Sequence, residues 1–203
     1  SFFHALNQKS IARKAAKLLG KTYEEARLIV IHMGGGVSVA AHENGLAVDD
    51  FNVKDEGAFG MDRAGSLPVN AMINLCFSGL TKQEVKKLLG SEAGAYSYVG
   101  TKDFREVERR AFEENDPDCR MVFDAMAYQL AKDIGAMAAV LKFQVDAIVY
   151  TGGMAYSDRF TQAITDYVGN LAPVLRLPGE EEMRSLAEGA LRVLHGEQAK
   201  VYP

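Results

Sequence analysis

Two hydrophobic rhythms run along this chain, one of period two and one near 3.6, and the changes of rhythm mark its elements. Residues 28–48, LIVIHMGGGVSVAAHENGLAV, hold an apolar run, three glycines, a second apolar run, and then Asn44-Gly45 before a third. Short apolar runs bounded by turn residues read as strands, here at about 28–33, 37–42 and 46–51. Asn-Gly between such runs predicts a hairpin, because both residues tolerate positive φ. Upstream, Leu6, Ile11, Ala15, Leu18 and Leu19 form the apolar stripe of a helix over 5–19, with Gly20 as its stop.

Downstream of the meander, residues 52–66 show no period and contain Gly57, Gly60 and Gly65, so they read as a long, functional loop. Residues 68–77 and 81–89 read as helices, the second opened by a Thr81–Glu84 capping box. A second loop is expected over 90–102 and a short helix over 103–114. Asp116-Pro117 caps a helix running to about Lys142. Its stripe of Met121, Val122, Met126, Leu130, Ile134, Met137 and Leu141 reads as core, since methionine fills irregular gaps. A buried strand over 146–150 ends in Thr151-Gly152-Gly153. Ser157 caps a helix to about Val168, a last strand covers 173–177, and a final helix covers 180–195. A meander followed by crossovers implies an α/β fold: a mixed sheet with helices on both faces.

Composition narrows the classes. The chain has 203 residues, 48% of them hydrophobic and 25% charged, enough for one large domain and a sizeable core. The net charge is −4 and no basic run is present, which argues against nucleic acid. Charge interrupts every long apolar stretch, so no membrane span is expected. The two cysteines, Cys76 and Cys119, show no metal or redox spacing and fit a reducing cytoplasm. The opening Ser1-Phe2-Phe3-His4 reads as the middle of a protein. Residues 1–27 are therefore expected to be a helical lead-in from a missing amino-terminal lobe, and 28–203 a carboxyl-terminal nucleotide-binding lobe.

The candidate chemistry lies in five segments. Gly34, Gly35 and Gly36 carry no side chains, so their amides can approach an anion closely. No Gly-Lys-Ser/Thr follows, and the loop enters a strand, so this is not a Walker loop. His32 beside them has donors for a phosphate oxygen, or is a satisfied strand-end histidine. Arg63, in EGAFGMDRAGSLP, has a guanidinium suited to clamping a phosphoryl group, or is a surface arginine. Asp103, Phe104 and Arg105 offer an acid, an aromatic and a base for a nucleoside, with Asp103 also a helix cap. Gly152 and Gly153 end a strand, where α/β sheets bind ligands. Glu180, Glu181 and Glu182 complement a helix dipole or bind Mg²⁺. His42 and His195 read as structural or solvated.

Taken together, FFHALNQ, HMGGG, DRAGSLP, GTKDFREV, TGGMAYSD and PGEEEM, in this order, resemble the acetate kinase family, with its butyrate branch nearest. The resemblance covers essentially the whole chain but only the carboxyl-terminal part of the family. It implies an actin-like, ribonuclease H-like ATPase lobe that moves a phosphoryl group between ATP and a short-chain fatty acid, giving ADP and an acyl phosphate. It assigns the phosphates to His32, Gly34, Gly35 and Gly36, and the adenosine to Asp103, Phe104, Arg105, Gly152, Gly153, Ala155, Tyr156 and Ser157. Ala155 and Tyr156 stand where acetate kinases carry Gly-Glu. Arg63 matches the arginine acting on the transferred phosphoryl group, His4 an active-site histidine, and Glu181 a Mg²⁺-associated glutamate. The family's first phosphate motif, its second arginine and its catalytic aspartate are expected upstream of Ser1. A homodimer or higher homo-oligomer in the cytoplasm is also expected. Two alternatives stay open: a sugar or hydroxyl-acceptor kinase of the same superfamily, and a non-catalytic nucleotide-binding or dimerisation module.

Overall fold

A computed structural model of the chain describes residues 3–52, 56–179 and 182–196. Its centre is β1 (Leu28–Met33), an uninterrupted apolar strand but for His32, buried along its whole length. β1 pairs antiparallel with β2 (Val37–Glu43), which pairs antiparallel with β3 (Leu46–Asn52). Asn44 and Gly45 turn the second hairpin at φ 53° and 72°, the positive values their sequence predicts. On its other side β1 pairs parallel with β4 (Ala147–Thr151), and β4 with β5 (Val174–Arg176). The sheet order is β3-β2-β1-β4-β5. It is the mixed sheet expected from a meander followed by crossovers.

Strand side chains alternate, so each central strand feeds two cores. Leu28 and Val30 of β1, with Ala147 and Val149 of β4, meet α1 (Ala5–Leu18) through Ile11, Ala12, Ala15 and Ala16. Small residues there let the helix lie close. Ile29, Ile31 and Met33, with Ile148 and Tyr150, face α6 (Pro117–Val140 in the chain order below). That helix contributes Val122, Met126, Leu130, Ile134 and Met137 of the stripe seen in the sequence, together with Phe123; Met121, expected in the core, is instead 51% exposed, because it lies one position off the buried face.

Four further helices lie between β3 and α6: α2 (Val69–Cys76), α3 (Lys82–Gly90), α4 (Gly94–Val99) and α5 (Phe104–Phe112). The Thr81–Glu84 capping box is present at the start of α3. After β4 come a 3₁₀ turn (Gly153–Tyr156) and α7 (Asp158–Val168); α8 (Glu182–Leu194) closes the chain. α4 corrects the expectation of a loop over 90–102. Its six residues are too few to show a period, and glycines bracket it. Tertiary bonds hold it instead: the amides of Ala95 and Tyr96 donate to the carbonyls of Gly60 and Met61, at 3.1 and 2.9 Å. No helix among the described residues is long and apolar enough to cross a membrane.

Candidate functional site

β1 and β4 run parallel with His32 opposite Thr151, so their carboxyl ends are level. The turn Gly34–Gly36 leaves β1 and Gly152-Gly153 leaves β4 at this one edge, the place where open α/β sheets bind ligands. Gly179, just beyond β5, joins them: Gly152 and Gly179 exchange two amide–carbonyl bonds of 3.1 Å. Gly152 has a structural reason of its own. Its φ is 86°, and a Cβ there would lie 2.4 Å from the Met33 carbonyl oxygen.

A cleft of about 880 Å³ opens at this edge. It gathers Gly34, Gly35, Asp103, Phe104, Arg105, Gly153, Tyr156 and Ser157 from the segments singled out in the sequence. Met61, Lys102 and Met154, which lie inside the quoted motifs, and Glu108, which lies outside them, also line it. Glu108 carries no local signal, because it is the packing of α5 and α7 on α6 that brings it to Ser157 at the cleft.

The cleft residues are braced from below. Phe104 is a core residue, 7% exposed, with its ring 4.7 Å from that of Phe160. Asp103 caps α5 by accepting from the Arg105 amide at 2.9 Å, and its carboxylate also pairs with the Arg105 guanidinium, 2.7 Å away. That pairing holds the Asp103 carboxyl below its usual range. Ser157 accepts from the Phe160 amide, capping α7, and donates to Glu108 at 2.9 Å. Tyr156 is largely exposed and reaches over Gly179. Ala155 is fully buried, and its carbonyl accepts from the Arg176 guanidinium at 2.8 Å.

Gly36, Gly152, Ala155, His4, His32 and Arg63 do not line this cleft. The Gly34 amide donates to the Gly36 carbonyl at 3.0 Å, so one amide of the glycine turn is spent on the turn itself. His32 is 2% exposed; its ring stacks on His4 at 4.0 Å, and its Nδ1 lies 2.6 Å from Asn7 Nδ2. Burial, with the neighbouring His4, pushes its pKa down to about 3. The ring is neutral at physiological pH, and with Nδ1 accepting from the amide its proton is on Nε2. His4 starts α1 in the left-handed region, φ 53°, with Nδ1 at 3.0 Å from Ser38 Oγ.

Arg63 sits beside the cleft rim, its side chain 41% exposed and Nε 3.8 Å from Asp62 Oδ1. The other Asp62 oxygen is 3.5 Å from Lys102 Nζ. Asp62 thus links the arginine loop to a residue of the cleft. Glu181 lies outside the described residues, and among those described no cluster of three or more His, Cys, Asp or Glu is placed to hold a metal ion.

The mixed sheet with its cleft at the glycine turns is an actin-like α/β lobe, and the solved acetate kinase of Porphyromonas gingivalis has this fold. It superposes with a TM-score of 0.84 at 22% identity, over 94% of this chain and 55% of that one. The sequence profile of the acetokinase family matches residues 2–183, and the chain belongs to that family. It is 47% identical over 205 aligned positions to butyrate kinase 1 of Clostridium acetobutylicum and 49% identical to butyrate kinase 2 of the same organism. Both alignments take in the whole chain but only 58% and 57% of those relatives' lengths.

Proposed function

We propose that the protein of which this chain is part is a carboxylate kinase. It transfers the γ-phosphoryl group of ATP to a short-chain carboxylate, butyrate before others, and runs in reverse from the acyl phosphate and ADP. The observation that carries this reading is the cleft. Two glycine turns and the N-terminus of α5 meet around a space of about 880 Å³, large enough for a nucleoside, in a chain of the acetokinase family. Residues 28–203 are its nucleotide lobe, led into by 1–27.

The chemistry asks little covalent work of the protein. It asks for in-line positioning, neutralisation of charge on the phosphoryl group, and exclusion of water. The apolar walls, Met61, Phe104 and Met154, suit the faces of an adenine ring. Gly35 offers backbone with open space in front of it. Neutral His32 and its partner His4 serve as hydrogen-bond donors toward phosphate. Arg63, held only loosely by Asp62 at 3.8 Å, supplies positive charge for the transferring group. Glu181 is our candidate to hold the nucleotide's Mg²⁺, which would shield the phosphate charge when bound. The acceptor is already an anion, so no general base is required. Cys76 and Cys119 form no disulfide, in keeping with a cytoplasmic enzyme. α2 and its C-cap present Val69, Ile73 and Phe77, one helical turn apart and well exposed, a surface suited to the homo-oligomer we expect.

In the full-length protein, Arg63→Ala should lower kcat by about two orders of magnitude or more, roughly 3 kcal/mol, with a much smaller change in ATP affinity. A normal kcat with only a raised KM for ATP would assign Arg63 to ground-state binding instead.

A further inference from the structure

The loop carrying Arg63 has no regular secondary structure, yet it is held at defined points. Its only long-range side-chain acceptors among the described residues come from α6, one turn apart. Asp133 Oδ2 accepts from the Ala58 amide at 2.7 Å, and Gln129 Oε1 accepts from the Phe59 amide at 3.2 Å. The fit leaves no slack. Gly57 adopts φ 80°, and a Cβ there would stand 3.0 Å from Asp133 Oδ2 and 2.9 Å from Phe51 Cβ. Ser66 closes the loop by accepting from the Gly57 amide at 2.8 Å and donating its own amide to the Gly57 carbonyl at 2.9 Å. Gly60 accepts nothing from α6, but its amide donates to the Arg63 carbonyl at 3.1 Å, so the clamped residues reach the arginine through one short turn.

We propose that Asp133 and Gln129 are positioning residues: a two-point clamp on α6 that fixes the 57–66 loop and thereby aims Arg63 at the transferring phosphoryl group. The inference rests on the role given to Arg63 above. Two consecutive amides of an irregular loop are bound by side chains from one rigid helix. That arrangement fixes both the position and the orientation of the segment, where a single bond would leave it free to swing. Asp133 is a demanding choice for the task. Desolvation outweighs the Ala58 bond and Lys132, and with help from Glu56 pushes its pKa up to about 6. An error of about 1 Å in the aim of a catalytic group is enough to cost on the order of 100-fold in rate.

The test is a double-mutant cycle on the full-length protein, reading kcat, KM for ATP and melting temperature of Asp133→Ala, Asp133→Asn, Arg63→Ala and the double variant Asp133→Ala with Arg63→Ala. Asp133→Ala should lower kcat about tenfold or more with KM for ATP within about threefold, since only the aim of Arg63 is lost. Asp133→Asn, which keeps an acceptor oxygen, should restore most of the rate. In the Arg63→Ala background, Asp133→Ala should have almost no further effect on kcat. Equal losses in both backgrounds would show a merely structural residue and overturn the clamp, as would an unchanged kcat in Asp133→Ala where Arg63→Ala is crippled. A normal kcat in Arg63→Ala itself would remove the catalytic role of Arg63, and the clamp with it. Should Asp133→Ala fail to fold, Gln129→Ala enters the same cycle with the same outcomes.

Discussion

At the scale of single residues, the glycines divide into two kinds that the sequence alone does not separate. Gly152 and Gly94 are demanded by the fold: a Cβ would lie 2.4 Å from the Met33 carbonyl oxygen in one and 2.2 Å from that of Gly60 in the other, both at positive φ. Gly35 has neither constraint, with nothing within 4 Å of the space a Cβ would take and no positive φ. Its lack of a side chain is therefore free to serve a ligand. Gly35→Val should leave the melting temperature of the full-length protein nearly unchanged and lower ATP affinity at least tenfold, about 1.4 kcal/mol, by calorimetric titration. Gly152→Ala should do the reverse and destabilise the fold, since backbone cannot move aside as a flexible side chain can. Unchanged affinity in Gly35→Val would move the phosphates away from this turn.

At the scale of elements, the sequence reading placed the boundaries wherever a signal was local, although Leu6, Leu18 and Met121 of its apolar stripes are exposed. Alternating apolar runs, Asn44-Gly45, the Thr81–Glu84 box and Asp116-Pro117 each placed a boundary within a residue or two. It failed where tertiary contacts make the element: α4 is held by carbonyls of Gly60 and Met61. The site was legible to the same degree. The glycine turns, Asp103, Phe104 and Arg105 could be read from type and spacing, whereas Glu108 and the Asp133–Gln129 clamp exist only through helix packing. Two of the inner strands carry a pH dependence no local pattern announces. His32 of β1 and His42 of β2 are buried and each held at a pKa of about 3, chiefly by desolvation. His42 is bonded to Tyr23 at 2.8 Å and to Gln8 at 3.2 Å. A folded-state value below the unfolded 6.5 means stability present above pH 6.5 and lost as pH falls toward 3. Each histidine should cost about 2 kcal/mol between pH 6.5 and 5. Asp133 acts in the opposite sense: its folded-state value is raised, so its contribution falls as pH rises from about 4 to about 6. Two histidines against one aspartate predict a net loss of stability from pH 7 to pH 5, measured by urea denaturation. A flat profile over that range would show that one or both histidines are not held neutral.

At the scale of the whole molecule, α1 on one face of the sheet and the α6 layer on the other hold β1 and β4, whose level carboxyl ends bring the glycine turns together. The large apolar core behind them makes the cleft a rigid wall: each buried Leu, Ile or Met contributes about 1.5–3 kcal/mol to holding it. A phosphoryl-transfer site needs a second wall to exclude water, and this chain spans 58% of the length of butyrate kinase 1. The measurement that tests the account most directly is acyl phosphate formation by the full-length protein, with hydroxylamine trapping the product from ATP, Mg²⁺ and butyrate, and glucose supplied in parallel as a hydroxyl acceptor. The account predicts hydroxamate from butyrate, its loss by about 100-fold or more in Arg63→Ala, and no ADP release above background with glucose. Phosphorylation of glucose without any butyryl hydroxamate, or nucleotide binding with no turnover on either acceptor, would contradict it.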